Sequence, residues 1–154
     1  MKIVKASLVA AIALVGSSAA VAQTVGTSIN APFTVSTSVL AFCKVSAQNI
    51  VIAPITPGDT TATGDKSSTG GVSVNCTNQT AYTLTVEDTL DLVNATSNYE
   101  IPTNLALNVT TGTGAGFGEG TVKSHVVTAT IPQAAYENAV AGAYTANTTV
   151  TLTY

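Results

Sequence analysis

The chain has no tryptophan, no arginine, one histidine, two cysteines and only 8% charged residues. Each scarcity removes a class of function. With five lysines as its only strong cations, it cannot present the clustered Lys or Arg that nucleic acid and anionic lipid require. A Ser-His-Asp or Cys-His device would have to use His125, since no other imidazole exists. No G-x-S-x-G elbow accompanies it, and a metal site would want several His or Cys ligands. His125 lies between Ser124 and Val126 and reads as an outward-facing strand residue, so His125→Ala is expected to leave folding and assembly nearly unchanged. The absence of Trp also weakens a sugar-binding or glycoside-hydrolysing cleft.

Two further patterns fail as sites. Glu87, Asp88 and Asp91 form the only acidic cluster, but they lack the alternating spacing of a calcium loop and read as a solvated strand end. The glycines at 112, 114, 116, 118 and 120 are followed by Thr121, without the Lys-Ser or Lys-Thr of a phosphate-binding loop. They read as a flexible hairpin connection. No catalytic residue, cofactor or metal ligand is assigned, and the chain is not expected to be an enzyme.

Long apolar runs are also missing, with one exception at the start. Lys2 and Lys5 precede the run Leu8 to Val15, and Ala20-Val21-Ala22 supplies small residues before Gln23. This is a secretory signal over residues 1–22, cleaved between Ala22 and Gln23. The run falls short of the roughly twenty residues of a membrane helix. The expected mature chain is exported, not inserted in a membrane, and has 154 − 22 = 132 residues, one domain by length. Its eight acidic residues oppose Lys44, Lys66 and Lys123, for a formal charge near −5.

What remains is rich in Thr, Ser, Asn, Val and Ala, residues suited to half-buried pleated surfaces. An all-β fold follows. Alternation is longest directly after the signal, at Val25, Thr27, Ile29, Ala31, Phe33, Val35, Thr37, Val39, Ala41, Cys43 and Val45. A period of two marks strand with one buried face. Twenty steps at about 3.3 Å span roughly 66 Å, whereas a domain of this size has a radius of gyration near 14 Å. The segment must fold back, or its first half must pack on another molecule.

Cys43 and Cys76 occupy the apolar parity of two strand-like runs, Val39-x-Ala41-x-Cys43-x-Val45 and Val72-x-Val74-x-Cys76. In an oxidising compartment they are expected to form a structural disulfide. Further along, 49–53 is a short strand stopped by Pro54 and Pro57, and 56–71 reads as an exposed loop. Val72–Cys76 and Tyr82–Val86 are strands with even residues inward. Residues 88–98 read as irregular, 99–109 as one or two short strands with Pro102 at an edge or bulge, and 111–120 as a turn. Thr121–Ile131 is a strand ended by Pro132, and 133–140 holds a helical turn. The last strand, Tyr144–Tyr154, places Tyr144, Ala146, Thr148, Val150, Leu152 and Tyr154 on one face. Seven or so short strands argue a β-sandwich. Five Asn-x-Ser/Thr sequons, at Asn75, Asn78, Asn94, Asn108 and Asn147, are uninformative in a chain this rich in Asn and Thr.

Phe33-Thr34-Val35, Cys43-Lys44-Val45-Ser46-Ala47, Gly71-Val72-Ser73-Val74-Asn75-Cys76-Thr77 and Tyr82-Thr83-Leu84 together resemble the N-terminal half of the spore coat protein U family, which includes the archaic chaperone–usher pilins. Ile131-Pro132 and the ending from Ala141 to Tyr154 are similar to its C-terminal signature. The likeness covers residues 33–87 and 131–154, and 88–127 do not match. It implies an immunoglobulin-like β-sandwich lacking its final strand, a periplasmic chaperone that first fills the resulting groove, and an outer-membrane usher. The usher exchanges the chaperone for the extension of the next, identical or related, subunit. Residues 23–36 would be that donor extension, inserting Val25, Thr27, Ile29, Ala31, Phe33 and Val35, and 37–154 the single domain, with its first strand from about Thr37 to Val45. The implied function is a structural pilus subunit, periplasmic in transit and then on the cell surface. Rival readings are a single-domain adhesin, a secreted coat protein that does not polymerise, and a hydrolase, the last disfavoured by the lone histidine.

Overall fold

A computed structural model describes Gly26 and residues 31–59 and 63–154. The signal, its cleavage site at Ala22 and Gln23, and the donor positions Val25, Thr27 and Ile29 lie outside these. The chain divides into two units, Met1–Thr37 and Ser38–Tyr154. In the first, Ala31, Phe33 and Val35 belong to no strand, and Phe33 and Val35 are 87% and 84% exposed.

The second unit is all-β and antiparallel. Its strands are β1 (Cys43–Ala47), β2 (Lys66–Cys76), β3 (Ala81–Thr85), β4 (Thr89–Asn94), β5 (Glu100–Leu107), β6 (Thr111–Thr113), β7 (Lys123–Ile131), β8 (Tyr144–Thr145) and β9 (Thr151–Thr153), with a short helix α1 (Gln133–Tyr136). A curled six-stranded sheet has the order β1-β2-β7-β5-β4-β8, and a three-stranded sheet the order β6-β3-β9. Inward parity is clean: Val72, Val74 and Cys76 of β2, Tyr82 and Leu84 of β3, Leu105 of β5, and Val127 and Ala129 of β7 form the main core cluster. Ile101, Ile131 and Tyr136 form a second one.

Cys43 and Cys76 face each other across β1 and β2 and are bonded, with Cα atoms 4.1 Å apart. Cys76 is the last residue of β2. Residues before Cys43 therefore run past the end of β2, and the first described strand starts at Cys43 rather than near Thr37. The bond suggests an oxidising, extracytoplasmic location. Among the described residues, no helix is long and apolar enough to cross a membrane.

Several segments differ from the sequence reading. The loop over 56–71 ends early, because Lys66–Gly71 pairs with Val126–Ile131 of β7. Here the neighbouring strand imposes extension on residues with little strand propensity of their own. Residues 89–94 are a regular strand whose Leu90 and Leu92 point to the core. Thr111–Thr113 pairs with β3 as β6 instead of turning. Pro102 sits inside β5 but disturbs no ladder. The Leu105 amide donates to the Asp88 carbonyl on the β4 side, so alternation turns Pro102 toward β7, where pairing has already ended at Asn104.

The C-terminal segment keeps its predicted parity but not its continuity. It pairs with β4 at Tyr144–Thr145 and with β3 at Thr151–Thr153, while 146–150 belongs to no strand. Thr83 faces Thr153 and Val93 faces Thr145, which sets ten steps on one side against eight on the other. The excess is taken up where β3 passes into β4, and the C-terminal segment crosses from one sheet to the other over the same stretch.

Candidate functional site

A cleft of about 1070 Å³ opens along the inner face of the six-stranded sheet. Its floor includes Val72, Thr103, Leu105, Val127 and Ile131. One wall is drawn from residues 47–55 and Pro57, the other from 139–148 and Val150. Among the described residues that line it there is no Asp, Glu, Lys, Arg or His. Thr103 is buried, and its hydroxyl donates to the Ile101 carbonyl at 3.3 Å, so it brings no free polar group to the floor.

The first wall follows from its sequence. β1 ends at Ala47, and the Gln48 amide still donates to the Gly71 carbonyl at 2.9 Å. After that, among the described residues, no backbone hydrogen bond joins 49–55 to a neighbour. Ile50 and Ile52 alternate inward onto the core while Val51 is exposed, so the segment is extended and patterned like a strand without being paired as one. Pro54 and Pro57 cannot donate to a ladder, which keeps this stretch at an edge. It also lies unusually close to β2. A Cβ placed at Gly70 would stand 2.7 Å from Ile50 Cγ1 and 2.9 Å from the Gln48 carbonyl oxygen, so only glycine permits the approach.

The second wall includes the unpaired stretch 146–150, with Ala146 and Val150 half-buried on the inward parity. Tyr144 is fixed at its start, where its hydroxyl donates to the Val140 carbonyl at 2.6 Å. Tyr136 of α1 contributes beside the walls; its hydroxyl donates to the Gly64 carbonyl at 2.7 Å and its ring packs with Ile101 and Ile131. The result is an apolar trough between two stretches, 49–55 and 146–150, that pair with no neighbouring strand among the described residues. Backbone groups in that state are a template for a further strand.

The remaining sequence candidates lie elsewhere. Glu87, Asp88 and Asp91 are exposed around the β3–β4 connection. Among the described residues, no group of three or more His, Cys, Asp or Glu is placed to hold a metal ion. Asn94 is buried, and its Oδ1 accepts from the amides of Thr96 and Ser97 at 2.9 and 3.1 Å, so this sequon is committed to a turn.

His125 is not outward-facing. It is 7% exposed and shares the inward parity of Val127, Ala129 and Ile131. Its Nε2 lies 2.8 Å from the Tyr82 hydroxyl, and the ring tautomer decides which of the two donates. The rings meet edge-on at 5.8 Å. Both residues sit in the core rather than in the cleft lining. Burial pushes the Tyr82 phenol above its ordinary value of 10.0. Its contribution to stability is therefore complete below that value and lost as pH rises through the higher folded one. Because His125 is buried, replacing it is not neutral. We expect His125→Leu to lower stability by about 1–3 kcal/mol by leaving the phenol unpaired, and His125→Leu with Tyr82→Phe to recover part of that. Urea denaturation of the single and double variants checks it; equal loss in both would show that the hydrogen bond is not what the histidine supplies.

No protein-family model, curated protein or solved structure matches the chain.

Proposed function

We propose that the chain is a structural subunit of a surface fibre, built by donor-strand complementation in the manner of the chaperone–usher pilins it resembles. The observation that carries this is a cleft with no charged residue among its described lining, between the unpaired stretches 49–55 and 146–150. On this reading the fold is an immunoglobulin-like sandwich lacking its final strand, and the cleft is the place of that strand. The donor is Val25–Val35 of the next copy, whose eleven residues are long enough to run along both unpaired stretches, 49–55 and 146–150. Its backbone completes both edges, while alternate side chains enter the trough.

Charge supports the same reading. From Ala6 to Cys43 the chain has no charged residue, as an occupant of a cleft without counter-charges requires. Before assembly a periplasmic chaperone holds the cleft, and an outer-membrane usher mediates the exchange. The subunit performs no catalysis. The test is electron microscopy of cells expressing the chain with its neighbouring genes. We expect surface fibres from the full chain and none when residues 23–35 are deleted, with folded, disulfide-bonded protein still present in the periplasm. Fibres from the deleted chain would favour a protein that assembles by another route, and no fibres from either would favour a coat protein or adhesin.

A further inference from the structure

All three phenylalanines of the chain, Phe33, Phe42 and Phe117, are exposed, although Phe is among the residues most often buried. Phe33 is accounted for by the donor reading, whereas Phe42 and Phe117 belong to the folded unit. Each is 49% exposed, and their rings meet at 5.8 Å with a tilt of 33°. They sit at the end of the sandwich that carries the disulfide, and their backbones are held there. The Phe42 amide donates to the Thr77 hydroxyl at 3.1 Å, and the Phe42 carbonyl accepts from the Thr77 amide at 2.9 Å. The loop bearing Phe117 is tied down by the Gly116 amide, which donates to the Cys76 carbonyl at 3.0 Å, and by the Gly114 amide, which donates to the Thr80 carbonyl at 2.8 Å. Leu40, 80% exposed, accepts from the same Thr77 hydroxyl through its carbonyl. A fixed aromatic pair with no charged residue among these anchors has the composition of an interface core, already ordered before anything binds.

The length of chain outside the folded strands says what covers it. Val35, the end of the donor, is eight residues before Cys43, and eight residues of extended chain reach at most about 29 Å. Any molecule that holds Val25–Val35 is therefore tethered within about 29 Å of the strand end that carries Phe42. We infer that Phe42 and Phe117 dock on the acceptor subunit, a second copy of this chain, forming a surface contact between consecutive subunits in addition to the inserted strand. This rests on the donor-strand reading. Two half-exposed rings are far smaller than the roughly 1,200 Å² of a stable free-standing interface, so the contact forms only under the effective concentration that the tether supplies.

The test compares wild type, Phe42→Ser, Phe117→Ser and the double variant in two measurements: the affinity of each mature chain, with its cleft accessible, for a synthetic Val25–Val35 peptide, and the lifetime of the head-to-tail dimer in which one mature chain donates to another. Expected are peptide affinities equal within about twofold, and dimer dissociation faster by roughly tenfold or more in the double variant, as follows from losing the burial of two half-exposed rings on docking. Phe117→Leu should recover part of the lifetime. Unchanged dimer lifetimes with intact peptide binding overturn the surface contact and leave the donor reading standing. Peptide affinity that falls in step with lifetime also overturns it, by placing the rings in the fold or the cleft. Failure of the wild-type chain to bind the peptide overturns the donor reading itself.

Discussion

Cys43→Ala is expected to lower the unfolding free energy by roughly 3–4 kcal/mol, in the chain-entropy range for a bond closing a segment of this length. The cysteines are 33 residues apart in sequence. The position adds to the effect. Among the described residues β1 is an edge strand paired with β2 alone, and the bond fastens the end at which the chain enters the sheet. The other end of β1 continues as the first wall of the cleft, so loosening β1 loosens the surface on which a donor must align. Urea denaturation of the oxidised wild type, Cys43→Ala, Cys76→Ala and the double variant checks this. The three variants should be destabilised equally, since each removes the same bond. Two titratable thiols in the denatured wild type would contradict the assignment.

A larger change is expected at the donor. In a Val25–Val35 peptide, Phe33→Asp should weaken binding to the cleft at least about a hundredfold, because burying an unpaired carboxylate in an apolar site costs several kcal/mol. Among the described residues lining the cleft there is no cation to pair with it. Thr34→Asp should act much less, since strand alternation turns that residue away from the trough. The contrast matters more than either value, as a coil peptide held by general hydrophobic attraction would lose similar affinity at both positions.

Much of this architecture was legible in the residues, for identifiable reasons. Val72, Val74 and Cys76, and Tyr82 and Leu84, repeat with period two, and that parity reappears as the core. The cysteine pairing followed from the same parity and from export. Lys66–Gly71 was not legible as strand, because its pairing comes from β7 and its cover from the segment crossing at Gly70. Neither neighbour is local in sequence. Leu90 and Leu92 did alternate, but the acidic residues around them obscured the signal. His125 shares the odd parity of Val127, Ala129 and Ile131, yet its inward position is not evident from sequence. A polar residue inside an apolar series was read as outward when its partner, Tyr82, lay 43 residues away. The cleft as a cavity could not be read, yet one wall could: Ile50 and Ile52 alternate and then meet two prolines.

Amide hydrogen exchange along the two walls tests the central claim most directly. The chain lacking residues 23–35 is measured with and without the Val25–Val35 peptide. Residues 49–55 and 146–150 belong to no strand, and a donor lying between them should bond to both. The account predicts that protection rises over both stretches together when the peptide is added, with little change in β2 and β7, which are already paired. Protection confined to Cys43–Ala47, the free edge of β1, or no added protection at either wall, would contradict it.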